Sequence, residues 1–248
     1  MSEAMGGKGV IGIIAPRLVA TAVALALAIW AASGFVARQQ SAMVRSLAEA
    51  IEEGSQPRLD VLDQLHDDRA SAGILARCNI EDLRALASVN MKETDLAYEI
   101  ADPPRADRAG DAADRAIRKA LSCGPLDGNL WLRLVMLQTA RSGVLPTAFE
   151  YLRLSYWTAP SEGWIVRARV DFASRLLGAG VKDVEPDLRS DIRTLVNFDT
   201  NNNIAAMFLA APEPARAIYG EWIELLPAER KQSLSRTLER RGVNLTGR

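Results

Sequence analysis

An all-α protein with one membrane-spanning N-terminal helix is predicted by three observations. Alanine, leucine and arginine dominate the chain while aromatics make up 6% of it, a balance that favours helix over strand. No stretch reads as an alternating strand pair, and the connections between periodic segments are short. From Leu18 to Ala37 the sequence "LVATAVALALAIWAASGFVA" runs twenty residues without a charge, enough to cross roughly 30 Å of hydrocarbon at about 1.5 Å per residue.

The 248 residues are 48% hydrophobic and 25% charged, so the bulk of the chain can bury a core and is not disordered. A net charge of -1 excludes a globally basic protein that coats nucleic acid. The charge is unevenly spread, because residues 230–248 carry six cations against Glu239 alone.

Residues 1–17 form a short head expected in the cytoplasm, and residues 18–37 the transmembrane helix. Lys8 and Arg17 precede the span and Arg38 and Arg45 follow it, so positive charge orients it only weakly. Everything after about residue 38 is therefore assigned outside the cytoplasm on the shortness of the head. A cleaved signal peptide ending near Ala32-Ser33-Gly34 is the competing reading, against which the apolar run is too long. The small residues Ala24, Ala28, Ala31 and Ala32 would let a second membrane helix approach closely.

Membrane-proximal helices are expected over 38–81. The first continues out of the bilayer and stops near Gly54, and the second carries Leu59, Leu62 and Leu65 on one side. Asp60, Asp63, His66, Asp67 and Asp68 form the densest acidic cluster, but leucines alternate with them as on an ordinary solvated helix, so no metal site is assigned. "IEDLRALASVNMKETDLAYEIAD" is a long amphipathic helix ended by Pro103-Pro104. "RAGDAADRAIRKALSCGP" is the next, with a Gly-Pro stop. Cys78 and Cys123 match no zinc spacing, and a compartment outside the cytoplasm permits a disulfide between them. That bridge would close a loop of 44 intervening residues, worth on the order of 3–4 kcal/mol in the chain-entropy model.

The segment "WLRLVMLQTARSGVLPTAFEYLRLSYWTAP", residues 131–160, repeats features of the helix before it. Ala113, Ile117 and Ala120 before Pro125 are answered by Ala148, Leu152 and Ser155 before Pro160, with Trp131 and Leu134 at first-helix positions. The two prolines are 35 residues apart, close to a period of about 34. This pattern resembles a tetratricopeptide repeat, although Val135 replaces the usual glycine and Gln138 a common aromatic. The resemblance implies a short helical solenoid over 82–185, with Trp131 and Trp164 packed in its core and Arg153, Tyr156 and Arg167 lining a partner-binding groove. Residues 186–248 supply C-terminal capping helices, the last of them basic.

More broadly, "ALSCGPLDGNLWLRL" with "AFEYLRLSYWTAPSEGWIVRARV" resembles membrane-anchored bacterial envelope proteins associated with polysaccharide assembly. The resemblance implies a single-pass inner-membrane protein with its bulk in the periplasm, whose partners are envelope or inner-membrane proteins, the lipid bilayer and, as a further candidate, polysaccharide. No catalytic signature appears: "GGKG" at residues 6–9 is too short for a phosphate loop, and no Gly-x-Ser-x-Gly, His-Glu-x-x-His or CxxC pair is present. The expectation is an interaction scaffold without enzymatic activity, cofactor, metal or nucleic-acid partner. The alternatives are a structural subunit of an inner-membrane complex or a glycan-acting enzyme. Asn244-Leu245-Thr246 matches a glycosylation sequon that matters only in a eukaryotic secretory route.

Overall fold

A computed structural model describes the backbone of residues 8–65 and 68–243, and among these residues it is helical with no strand. Side chains of residues 1–20, of 64–70 and of several positions between 33 and 40 lie outside the description, as do His66, Asp67 and the sequon at 244–246. The chain divides into two compact units, Met1–Ala116 and Ile117–Arg248, with the boundary inside one helix.

The first unit contains α1 (Lys8–Glu52), α2 (Leu59–Leu65), α3 (Asp68–Leu75), α4 (Ile80–Glu99) and the start of α5 (Pro103–Cys123). The helix α1 changes character along its length. From Thr21 to Ala32 every residue is exposed, Trp30 to 76%. From Ser41 onward, Ser41, Val44 and Ala48 are buried, and α1 packs on α3 and α4. Polar contacts fix that register: Arg45 pairs with the buried Asp82 of α4 at 3.2 Å, and Arg77 donates to Ser41 Oγ at 3.2 Å. Among the described residues no helix is long and apolar enough to cross a membrane. The apolar run 18–37 falls partly on positions whose side chains lie outside the description, including Leu18 to Ala20.

Helix α4 is opened by Asn79, whose side chain accepts from the backbone N–H groups of Glu81 and Asp82. It ends at Glu99, and Pro103-Pro104 form the first turn of α5, where a missing N–H has no helical partner to lose. Between them Ala101 adopts φ 55°, a left-handed conformation unusual for a residue with a Cβ. Ala113, Ile117 and Ala120, three and four residues apart on α5, are all fully buried.

In the second unit the end of α5 is followed by α6 (Gly128–Ser142), α7 (Pro146–Thr158), α8 (Gly163–Gly178), a 3-10 turn at Lys182–Val184, α9 (Glu185–Phe198), α10 (Asn201–Ala210), α11 (Glu213–Glu224) and α12 (Ala228–Glu239). Short loops fold α6 against α7 and α8 against α9; α11 then packs on α8 and α9, and α12 on α10. Asp127 caps α6 by accepting from the N–H groups of Asn129 and Leu130 at 3.1 Å each. A Cβ on Gly128 would stand 2.4 Å from the Ala159 Cβ, so glycine is what lets the start of α6 meet the end of α7. One apolar core, from Leu132 and Val135 through Ile192 to Leu238, runs through these helices.

Trp131 stacks on Tyr151 at 5.6 Å and its indole N–H donates to the Pro125 carbonyl at 2.8 Å. Trp164, expected in the core, is instead 51% exposed. The buried stripe of α8 runs through Ile165, Val166, Arg169, Val170 and Ala173, and Trp164 lies one residue out of its phase.

Candidate functional site

Arg169 organises the second unit. It lies on the apolar stripe of α8 and is fully buried, so its charge must be met inside the protein. Its guanidinium grips Asp191 of α9 with both arms, Nε to Oδ2 at 2.8 Å and Nη2 to Oδ1 at 3.0 Å. Nη1 donates to the carbonyls of Ser155 and Ala159 at 3.0 and 2.8 Å, at the C-terminal end of α7, where the helix dipole favours a cation. The Tyr156 ring closes the last side, with the guanidinium carbon 4.4 Å from its centroid. One side chain thus joins α7, α8 and α9. Burial pushes the Asp191 carboxyl above the ordinary range, while hydrogen bonds and charge from Arg169 act in the opposite sense.

Beside this lock, α8, α10 and α11 border an open cleft of about 400 Å³. Val170, Ala206, Met207, Ala210, Ala211 and Pro212 give it an apolar lining. Its charged rim is internally balanced: Arg167 pairs with Asp199 at 3.2 Å and Arg175 with Asp171 at 2.8 Å. Two hydroxyl-bearing residues complete the wall, Ser174 and Tyr219, and both are buried. Neither the Ser174 Oγ nor the Tyr219 Oη has a hydrogen-bond partner. Burial raises the Tyr219 hydroxyl above its ordinary range, with the charges of Asp171, Asp199 and Asp191 adding to the effect, so the group stays protonated and able to donate. The Tyr219 ring is held edge-on to Phe208, 6.0 Å between centroids. The corner of the cleft depends on Gly178, where a Cβ would come within 2.8 Å of the Pro212 ring.

The residues expected to share a groove are distributed over three settings. Arg153 is exposed, bonds Glu150 at 3.2 Å and lines a separate cleft of about 410 Å³ that also contains Asp183 and Asp187. Arg167 stands at the rim of the α8/α10/α11 cleft. Tyr156, expected at the surface, turns its ring to Arg169 and buries its hydroxyl near Asp191 without a well-formed hydrogen bond. The cause is the buried guanidinium, which needs an aromatic face on the side its hydrogen bonds leave open. Cys78, between α3 and α4, and Cys123, the last residue of α5, are each disulfide-bonded and neither is a free thiol. In the acidic cluster Asp60 pairs with Arg58 at 3.0 Å and Asp63 with Arg105 at 2.8 Å. Among the described residues no group of three or more metal-ligating side chains comes together.

Asp191, Ser174 and Tyr219 are residues that sequence reading passes over, while Arg169, which the sequence groups with Arg153 and Arg167 near the aromatics as an interaction surface, is instead fully buried. A signal for pairing Arg169 with Asp191 was present: an arginine and an aspartate on apolar stripes of neighbouring helices call for each other. Compared with known protein families, curated proteins and solved structures, the chain shows no match.

Proposed function

We propose that this protein is a membrane-tethered helical binding module, held at the extracytoplasmic face of a bacterial inner membrane and serving an envelope assembly process such as polysaccharide synthesis or export. The observation that carries the reading is the division of α1. Its outer stretch presents Val23, Leu25, Leu27, Ile29 and Phe35 as exposed apolar residues, while the same helix from Ser41 on is packed into the first unit. A continuous apolar surface of this kind is unfavourable in water and favourable in lipid. The disulfide-bonded state of Cys78 and Cys123 supports a compartment outside the cytoplasm. The helical hairpins of the second unit offer open clefts on a rigid core, the arrangement of a module that binds and positions partners.

The test is extraction of membranes with alkaline carbonate. The full chain should stay in the pellet, and a variant carrying Leu25→Lys, Leu27→Lys and Ile29→Lys should pass to the supernatant. Release of the native chain by carbonate would refute the tether.

A further inference from the structure

Large apolar side chains scattered singly in water need no explanation, but a concentration of them in one region marks a contact surface. Among the described residues of the second unit, five large apolar side chains are more than half exposed: Leu126, Trp157, Trp164, Phe198 and Leu225. Contacts within the chain place all five at one end of that unit. Leu126 lies two residues before Gly128, which meets Ala159, and Trp157 lies two residues before Ala159. Residues 159–162 lead directly to Trp164 at the start of α8, where Arg167 reaches Asp199, the residue after Phe198. Leu225 sits in the turn before α12, and Arg230 of α12 donates to the Val196 and Asp199 carbonyls at 3.0 and 2.7 Å. The turns at the opposite end, residues 143–145, 179–184 and 211–212, expose no large apolar side chain to that degree.

Residue chemistry narrows the partner. Arg167 is paired with Asp199 and Arg230 is engaged by carbonyls, while Glu162 and Glu229 stand exposed at the same end, so no cationic surplus draws an acidic polymer. None of the five lines the clefts bordered by Arg167 or Arg153. They come from separate turns around one end, which a broad apolar boundary can meet at several points at once. Tryptophan, phenylalanine and leucine are the side chains that enter the boundary between lipid head groups and acyl chains, the indole N–H staying on the wet side. A chain already held at a bilayer by α1 meets that boundary at high effective concentration, so a shallow contact suffices.

We propose that this end of the second unit dips into the membrane interface through Trp157, Trp164 and Phe198, a second lipid contact that rests on the tether reading above. The experiment uses the deuterated full chain, one copy per phosphatidylcholine nanodisc, and measures how far saturation of the lipid acyl protons attenuates each tryptophan indole N–H signal. Trp30, on the apolar stretch of α1, reports the tether. Trp222, whose indole nitrogen is buried, is the reference. Attenuation at Trp157 and Trp164 several-fold greater than at Trp222, and abolished when the acyl chains are deuterated, supports the proposal. The variant Leu126→Ser with Phe198→Ser should at least halve it while Trp30 is unchanged. Attenuation at Trp30 but not at Trp157 or Trp164 would overturn the proposal, keep the tether and leave this end to a protein partner. Attenuation at none of the three would remove the tether and the proposal together. Equal attenuation in the native chain and the variant would overturn the assignment of the contact to this apolar end.

Discussion

Replacing Arg169 by methionine should be among the most destabilising single changes in the second unit. The guanidinium is fully buried, it makes two hydrogen bonds to Asp191 and two to carbonyls at the end of α7, and it rests on the Tyr156 ring. Methionine keeps much of the volume and removes every one of these contacts. What is left is a buried carboxylate with its cation gone, and breaking a buried pair in this way costs about 3–5 kcal/mol. A domain is typically stable by about 5–15 kcal/mol, so the loss is a large fraction of the total. It should lower the melting temperature by roughly 10–20 °C. The control is the double variant Arg169→Met with Asp191→Leu, in which no charge remains to be buried; apolar replacement of a whole buried pair is often neutral or stabilising. Thermal melts of the full chain followed by circular dichroism at 222 nm measure both. The reasoning fails if the single variant melts within a few degrees of the native chain, or if the double variant is less stable than the single.

Two further outcomes follow from local geometry. Burial tends to raise the Asp199 carboxyl, but hydrogen bonds from the Asn203 side chain, the Thr200 N–H and Arg167, with the charge of Arg167, outweigh it and hold the group below its ordinary 3.8. A depressed carboxyl contributes stability that is complete above the unfolded value and is lost as pH falls through the folded one. The destabilisation caused by Asp199→Asn, measured by urea titration, should therefore be larger at neutral pH than well below pH 3.8; a gap that does not narrow in acid would contradict the assignment. At Ala101, exposed and left-handed at φ 55°, substitution by glycine removes strain and should raise stability by about 0.5–1 kcal/mol despite the greater entropy of the unfolded chain. A loss of stability by denaturant titration would show that the position is not strained.

The helical class was legible because composition and the 3.6-residue period act locally and point the same way. Ala113, Ile117, Ala120, Ala148, Leu152 and Ser155 are all buried, as residues at packing positions of paired helices should be. Polar pairing across helices was harder to read. Arg167 and Arg169 look alike in sequence, two residues apart on α8, yet only the phase of the α8 stripe separates the buried Arg169 from its half-exposed neighbour Arg167. Tyr156 followed Arg169 inward because an aromatic face was needed there, a demand that arises in three dimensions. The α8/α10/α11 cleft lay further out of reach. It is assembled from helices tens of residues apart, and no local period brings Val170, Met207 and Pro212 together.

The central claim, that a tethered helical module binds envelope assembly proteins, is tested most directly by in-cell crosslinking of the full chain followed by mass spectrometry, beside variants carrying Arg153→Glu or Arg167→Glu. These two arginines line different clefts, so each variant interrogates one of them. The account expects polysaccharide-assembly proteins to be recovered with the native chain and lost with one of the variants. Recovery of no such protein above background, or equal recovery with the native chain and both variants, would contradict it.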